Sequence, residues 1–349
     1  MKRALSLLTV LLLTALFLPP SVPALAAGKV IIYNWSEYIP DDVLEAFTKE
    51  TGIEVVYTTY ESNESMHDKL LIQKGRGYDL VCPSTYFIPQ MIKEGLALKI
   101  DKKRIPNLKN VDPKLLNQEF DPDNRYSIPY MWGNYGLIFN SALVKNAVTS
   151  WNDLLRPEFK GKIMLYDDPR MTMGIALLAT GASLNSTKES EIRAAYEFLL
   201  KLRDPKNVFD VTAAKNVMVN NHSVIGGIWN GDAQVAMDEN SDLVYIYPKE
   251  GVPLWMDSFV IPSGADNVDN AYAFINFMLR PEMALRSVEE YRYSSPNLGT
   301  LELMDKKMRE SRLLNPTADD LRNAVMLNGV GEAKALYDLY WEKFITDAK

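Results

Sequence analysis

Apolar runs of strand length alternate with amphipathic runs of helix length from Val30 onward. Val30-Ile31-Ile32-Tyr33 opens a continuous apolar run, the pattern of a strand buried on both faces in a parallel sheet. The run breaks into Trp35-Ser36-Glu37-Tyr38, and Pro40-Asp41-Asp42 then opens a helix expected over 41–50. A second strand is predicted over 53–59, where β-branched and aromatic residues concentrate, then a helix over 65–74, a strand over 78–81 and a helix ending near Glu94. This βαβαβα order implies a mostly parallel sheet covered by helices on both faces.

Residues 95–126 read as turns, punctuated by Pro106, Pro113 and Pro122. Residues 127–140 read as two short strands joined through Trp132-Gly133-Asn134, a crossing point into a second domain. The alternation then resumes: strand 162–166, helix 171–180, helix 189–203, strand 224–229, helix 232–240 and strand 243–247. Trp255-Met256-Asp257 is placed just before a strand over 258–261 that crosses back. Helices are expected over 267–279 and 282–290, and terminal helices over 319–346, broken near Asn328-Gly329. No internal repeat or low-complexity run is present.

The first residues are a different kind of segment. Lys2-Arg3, the apolar core Ala4 onward and the small residues Ala24-Leu25-Ala26 read as a secretory signal cleaved near Ala26. No cysteine follows that core to carry a lipid anchor, and no later stretch is apolar and long enough to cross a bilayer. Removal of the signal leaves roughly 320 residues, about two domains' worth, with ample material for hydrophobic cores. The one cysteine, Cys82, has no intramolecular partner and is expected to be a small buried apolar residue. A formal charge of −7 at pH 7 disfavours nucleic acid and anionic membrane as partners and mildly favours a cationic ligand.

Enzyme signatures do not emerge from the motifs. The chain lacks a Gly-x-Ser-x-Gly elbow and a Walker A loop, and Gly75-Arg76-Gly77 is short of a dinucleotide fingerprint. Its two histidines, His67 and His222, stand in unrelated polar contexts and are expected at the surface. What recurs is an aromatic beside a carboxylate or hydroxyl near a strand end: Trp35-Ser36-Glu37-Tyr38, Ser84-Thr85-Tyr86, Asp167-Asp168 after Tyr166, Trp229, Trp255-Met256-Asp257, and Tyr293 before Ser294. In open α/β sheets such positions border the ligand crevice. Aromatic faces cover methylenes and attract ammonium groups, and carboxylates fix each nitrogen, so the set suits a flexible, multiply charged amine. A secreted carbohydrate hydrolase using Glu37 and Asp168 as paired carboxylates is the rival reading, and a binder of another cationic solute is a third.

Several motifs together resemble the periplasmic spermidine/putrescine-binding proteins of ABC importers: Tyr33-Asn34-Trp35-Ser36-Glu37-Tyr38, Thr59-Tyr60-Glu61-Ser62-Asn63-Glu64, Asp79-Leu80-Val81-Cys82-Pro83-Ser84-Thr85-Tyr86, Tyr126-Ser127-Ile128-Pro129-Tyr130, Ile228-Trp229-Asn230-Gly231 and Trp255-Met256-Asp257-Ser258. The likeness runs from about residue 29 to the C-terminus. The segment from Ser150-Trp151 to Lys160-Gly161 is similar to many solute-binding proteins and bears on the fold more than on the ligand.

The resemblance implies a two-lobed α/β fold, each lobe a mixed, mostly parallel sheet flanked by helices, with a ligand cleft between them. On that scheme residues 27–135 plus 258–300 form one lobe, and 136–257 plus 301–349 the other. It further implies that Trp35, Tyr38, Tyr86, Trp229, Trp255 and Tyr293 line a polyamine's methylenes. Glu37, Asp168 and Asp257 would take its nitrogens, with Ser36 and Ser84 as hydroxyl contacts. Met171 and Leu327 stand where spermidine-specific members have Glu and Gln, and so become candidates for setting ligand choice. The expected protein is a periplasmic monomer without catalytic activity, cofactor or metal, whose partners are a polyamine and the permease subunits of an ABC transporter.

Overall fold

The computed structural model describes residues 28–210 and 214–346, so the expected signal over 1–26 lies outside the described residues. β1 (Lys29–Trp35), β2 (Glu54–Tyr60) and β3 (Leu80–Val81) run parallel, with β1 in the middle. They alternate with α1 (Asp41–Thr51), α2 (Asn63–Gln73) and α3 (Ile88–Lys93). Strand periodicity splits β1 between two cores. Val30 and Ile32 pack with Leu80, Phe47, Phe259 and Phe274, whereas Tyr33 packs with Val81, Tyr60, Met66 and Met256. The apolar run at the start of the chain is continuous because both faces are covered.

A second body follows. β5 (Ile163–Leu165) lies parallel to β6 (Val208–Phe209) and β7 (Ile225–Trp229). Around them stand α4 (Pro169–Ala179), α5 (Glu189–Lys201), α6 (Ala214–Val219) and α7 (Asn230–Glu239). Their core gathers Trp151, Phe159, Tyr166, Ile175, Leu199 and Ile228, joined by Tyr337 and Phe344 of the last helix. Two long strands connect the bodies, β4 (Ser127–Asn140) and β9 (Pro253–Val260), antiparallel to each other, and the strand order is β2-β1-β3-β9-β4-β7-β5-β6. β8 (Leu243–Ile246) pairs with β4.

Four sequence expectations are corrected by this topology. Residues 127–140 form one strand, because β4 exchanges neighbours instead of turning: it pairs with β9 through Asn134 and with β7 from Tyr135 onward. Gly133 marks a close approach there. A Cβ at that position would lie 2.2 Å from Asn230 Oδ1 and 2.7 Å from the Trp255 ring. Trp255, Met256 and Asp257 fall inside β9, with Met256 facing one core and Trp255 the other.

The terminal segment is α-helical only in α12 (Lys334–Thr346) among the described residues, preceded by a 3-10 turn at Gly331–Ala333, because β10 (Val325–Met326) is drawn out as a strand parallel to β9. Finally, His67 is buried at 5% exposure instead of lying at the surface: it faces α3, packs on Phe87, and its Nε2 is 2.6 Å from Glu94 Oε2. His222 is exposed as expected. Short helices α8 to α11 (Val268–Met278, Pro281–Tyr291, Leu298–Leu303 and Lys306–Glu310) close the first body and its flank.

Candidate functional site

The carboxyl ends of β1 and β3 face those of β5 and β7 across the crossing strands, and the helices that follow them start at the same edge. This is the crevice in which open α/β sheets bind ligands. Asp257 lies at its centre, 5% exposed, on the crossing strand β9. Tyr38 OH donates to its Oδ2 at 2.6 Å and Ser84 Oγ to its Oδ1 at 2.6 Å. Asn63 at the start of α2 organises the second of these donors. Its Nδ2 reaches Ser84 Oγ (3.2 Å) and Tyr86 OH (2.9 Å), while its Oδ1 accepts from the Ser84 amide (3.0 Å). Burial pushes the Asp257 carboxyl up to about 6, against the opposing pull of the two hydroxyls. No described lysine, arginine or histidine forms an ion pair with it.

Aromatic rings surround that carboxylate. Trp255 meets Trp229 edge to face at 5.9 Å and Tyr293 at 5.1 Å, and Tyr293 lies 6.3 Å from Tyr38. Gly231 at the first turn of α7 admits Tyr293, whose ring would lie 2.5 Å from a Cβ there. Trp35 ends β1 half-buried on Tyr60 at 4.6 Å, with its indole N–H donating to the Cys82 carbonyl (3.1 Å). Cys82 itself is fully buried, and burial pushes its thiol far up. The Trp255 indole nitrogen is buried with no hydrogen-bond partner.

The remaining expected residues lie toward the two ends. Asp168 ends the loop after β5 and caps α4 by accepting from the Met171 amide at 2.7 Å. Burial raises its pKa, opposed by the amides and by the nearby Arg170 charge. Met171 and Leu327 are 1% and 2% exposed and belong to the second core. The Leu327 carbonyl accepts from Thr85 Oγ1 (2.7 Å), across from the first body. Glu37 is exposed, at a left-handed φ of 50°. Ser36 is exposed too, and its hydroxyl reaches Glu61 at 3.5 Å instead of joining the Asp257 cluster.

One carboxylate escaped the sequence reading. Asp232, in the first turn of α7, accepts from Tyr166 OH at 2.8 Å, and burial raises its pKa, with Glu37 adding in the same sense. Its signal was present as the third residue past the strand-ending Trp229, but only as an ordinary helix-opening acid. Asn63 was equally unreadable, since its partners sit more than twenty residues away. Among the described residues no three His, Cys, Asp or Glu side chains gather as metal ligands. The arrangement therefore presents desolvated carboxylates within an aromatic wall.

With this geometry in hand, similarity to known proteins is informative. The family described as bacterial extracellular solute-binding protein matches residues 42–310. The chain is 44% identical over 317 residues to the spermidine/putrescine-binding periplasmic protein of Escherichia coli, covering 90% of this chain and 91% of that one. It is 35% identical to the putrescine-binding periplasmic protein of the same organism, over 86% of each chain. Among solved structures, the spermidine/putrescine ABC transporter substrate-binding protein of Streptococcus pneumoniae superposes with a TM-score of 0.81 at 37% identity, over 92% of this chain and all of that one.

Proposed function

This chain belongs to the bacterial extracellular solute-binding proteins, and from that premise we propose that it captures a linear polyamine, putrescine or spermidine, outside the cytoplasm and delivers it to the permease of an ABC importer. The observation that carries the reading is Asp257: a buried carboxylate with both oxygens hydrogen-bonded, no described cation against it, and aromatic rings on its flanks. Burying an ionised carboxylate unpaired is costly, so the site is built for a charge that arrives with the ligand. An ammonium bound there keeps the hydroxyl bonds and adds the missing counter-charge.

Trp229, Trp255, Tyr38 and Tyr293 then cover methylenes, with Trp35 and Tyr86 at the margins, because rings attract both alkyl chain and ammonium. Asp232 with Glu37 serves the nitrogen at one end and Asp168 the other, with Ser84 as a hydroxyl partner. Ser36 would have to turn from Glu61 to take part. The two bodies are the lobes, 28–135 plus 258–310 and 136–257 plus 311–346 among the described residues, because Met304 and Met308 pack on Val288 of the first body. Thr85 meeting Leu327 is a contact of the closed form. The protein acts as a periplasmic monomer, without catalysis.

Calorimetric titration of the mature chain with putrescine and spermidine tests the reading, alongside incubation with aryl glycosides. The expected result is saturable one-to-one binding of both amines and no release of the aryl group. No heat with either amine, or steady glycoside turnover, would overturn it.

A further inference from the structure

Beyond the Asp168 end of the crevice, a cavity of about 640 Å³ opens between the two bodies. Its walls include Glu64, Tyr86, Phe87 and Phe120 from one body and Val330 and Tyr337 from the other. The volume lies within the range of small-ligand pockets. Tyr86 is the shared wall. Burial pushes its hydroxyl far up, and the charges of Asp168, Glu64 and Asp257 act in the same sense.

The Asp168 end is poorly suited to a terminal ammonium, which carries three N–H donors. Asp168 already accepts the Met171 amide, the Arg170 guanidinium lies within its field, and the adjacent Met171 and Leu327 are apolar. An inner secondary ammonium, with two N–H donors, fits there; a terminal ammonium is better served farther on. In the cavity, by contrast, a primary ammonium is already held by carboxylates of both bodies: Lys334 Nζ lies 2.8 Å from Asp338 and 3.8 Å from Glu64. Asp338 is the closer partner, which leaves Glu64, on the opposite wall, with capacity for a second cation. Burial and the charges of Asp168 and Asp338 push the Glu64 carboxyl up, and the Lys334 charge only partly opposes them.

We infer that the ligand track continues past Tyr86 and Asp168 into this cavity, and that Glu64 receives the far ammonium of a linear tetra-amine such as spermine. This rests on the polyamine reading and extends it to longer chains: the acids follow one another as Asp232, Asp257, Asp168 and Glu64, matching four nitrogens joined by methylene segments. Glu64 sits on the surface of α2 and its replacement leaves the Asp257 cluster untouched.

The test is calorimetric titration of the mature wild-type chain and of Glu64→Gln with spermine and putrescine, with thermal unfolding to confirm that the variant folds. A partly exposed ion pair of this kind supports a loss of about fivefold in spermine affinity, with putrescine unchanged. Equal weakening of both amines would mean that Glu64 only ties the lobes together through Lys334, and would overturn the inference. So would spermine affinity unaffected by the substitution, or a wild-type chain that binds putrescine but not spermine. If no amine binds the wild type, the polyamine reading itself fails, and this extension with it.

Discussion

Tyr38 and Asp257 stand 219 residues apart in the chain, yet the Tyr38 hydroxyl donates to the Asp257 carboxylate at 2.6 Å. One residue comes from the loop after the first strand and the other from a strand that crosses between the lobes, so chain segments far apart in sequence meet at the carboxylate of the ligand crevice. Its acceptor is a charge that the protein itself leaves uncompensated.

Replacing Asp257 with Asn should therefore separate binding from stability. Removing one partner of a desolvated ion pair costs roughly 2–5 kcal/mol, a loss of about thirtyfold or more in polyamine affinity. The ligand-free variant should unfold at the same temperature as the parent or above it at pH 7.5, because the amide keeps hydrogen-bonding capacity without a buried charge. Unfolding scans and titrations on the same preparations check both halves, and unchanged affinity would defeat the assignment.

The same carboxyl sets a pH dependence. Its folded pKa, about 6, lies above the 3.8 of an ordinary Asp, so the folded state binds the proton more tightly. The stabilisation from that proton is full below pH 4 and is lost as pH rises through 6, on the order of 3 kcal/mol in the ligand-free protein. Ligand affinity runs the other way, since a cation needs the ionised form. Putrescine affinity measured from pH 8 down to pH 5 should be flat above about 7 and fall by up to about tenfold per unit below 6, a fall that Asp257→Asn should abolish.

Trp255 should both bind and report. Trp255→Leu keeps apolar area but removes the ring face, a loss of about 2 kcal/mol where the cation is desolvated. Because its ring touches Trp229 and Tyr293, polyamine binding should change indole fluorescence in the parent and change it less in the variant. If the variant binds as tightly as the parent, the ring is packing alone.

Met171→Glu combined with Leu327→Gln should raise the spermidine-to-putrescine affinity ratio, by restoring acceptors at the Asp168 end, each charge-assisted bond contributing about 1.5–3 kcal/mol. Both side chains are buried in the second core, so the double variant should also melt earlier. Titration with both amines decides: a ratio that stays put shows that these positions do not set ligand choice.

Gly133→Ala carries the structural prediction. The new methyl meets Asn230 and Trp255 well inside contact distance, and Asn230 Oδ1 also accepts from the Asn134 amide. Overpacking of this kind costs about 1–3 kcal/mol, and displacement of Trp255 should weaken binding as well. Denaturant unfolding together with titration would register both, and a variant that matches the parent in each would show that the crossing is not tightly packed.

Local pattern alone carried much of this protein. The strand–helix alternation, the burial of Cys82, and the residue types at the ends of β1, β3, β5 and β7 are all written in periodicities of a few residues, which depend on nothing distant. The family resemblance rests on the same short motifs. Tertiary structure decided the rest, because the deciding contacts join residues far apart in sequence. Trp132-Gly133-Asn134 has the composition of a turn, but Asn230 and Trp255 press on it and hold β4 straight. Residues 325–326 lie in a segment that reads as helix until β9 offers them backbone partners. His67 reads as surface until α3 covers it. Asp232 reads as a helix-opening acid until Tyr166, from another strand end, closes over it. A carboxylate's place in the sequence fixes its loop or helix; only the packing of the other lobe fixes whether water, a hydroxyl or a ligand's ammonium must satisfy it.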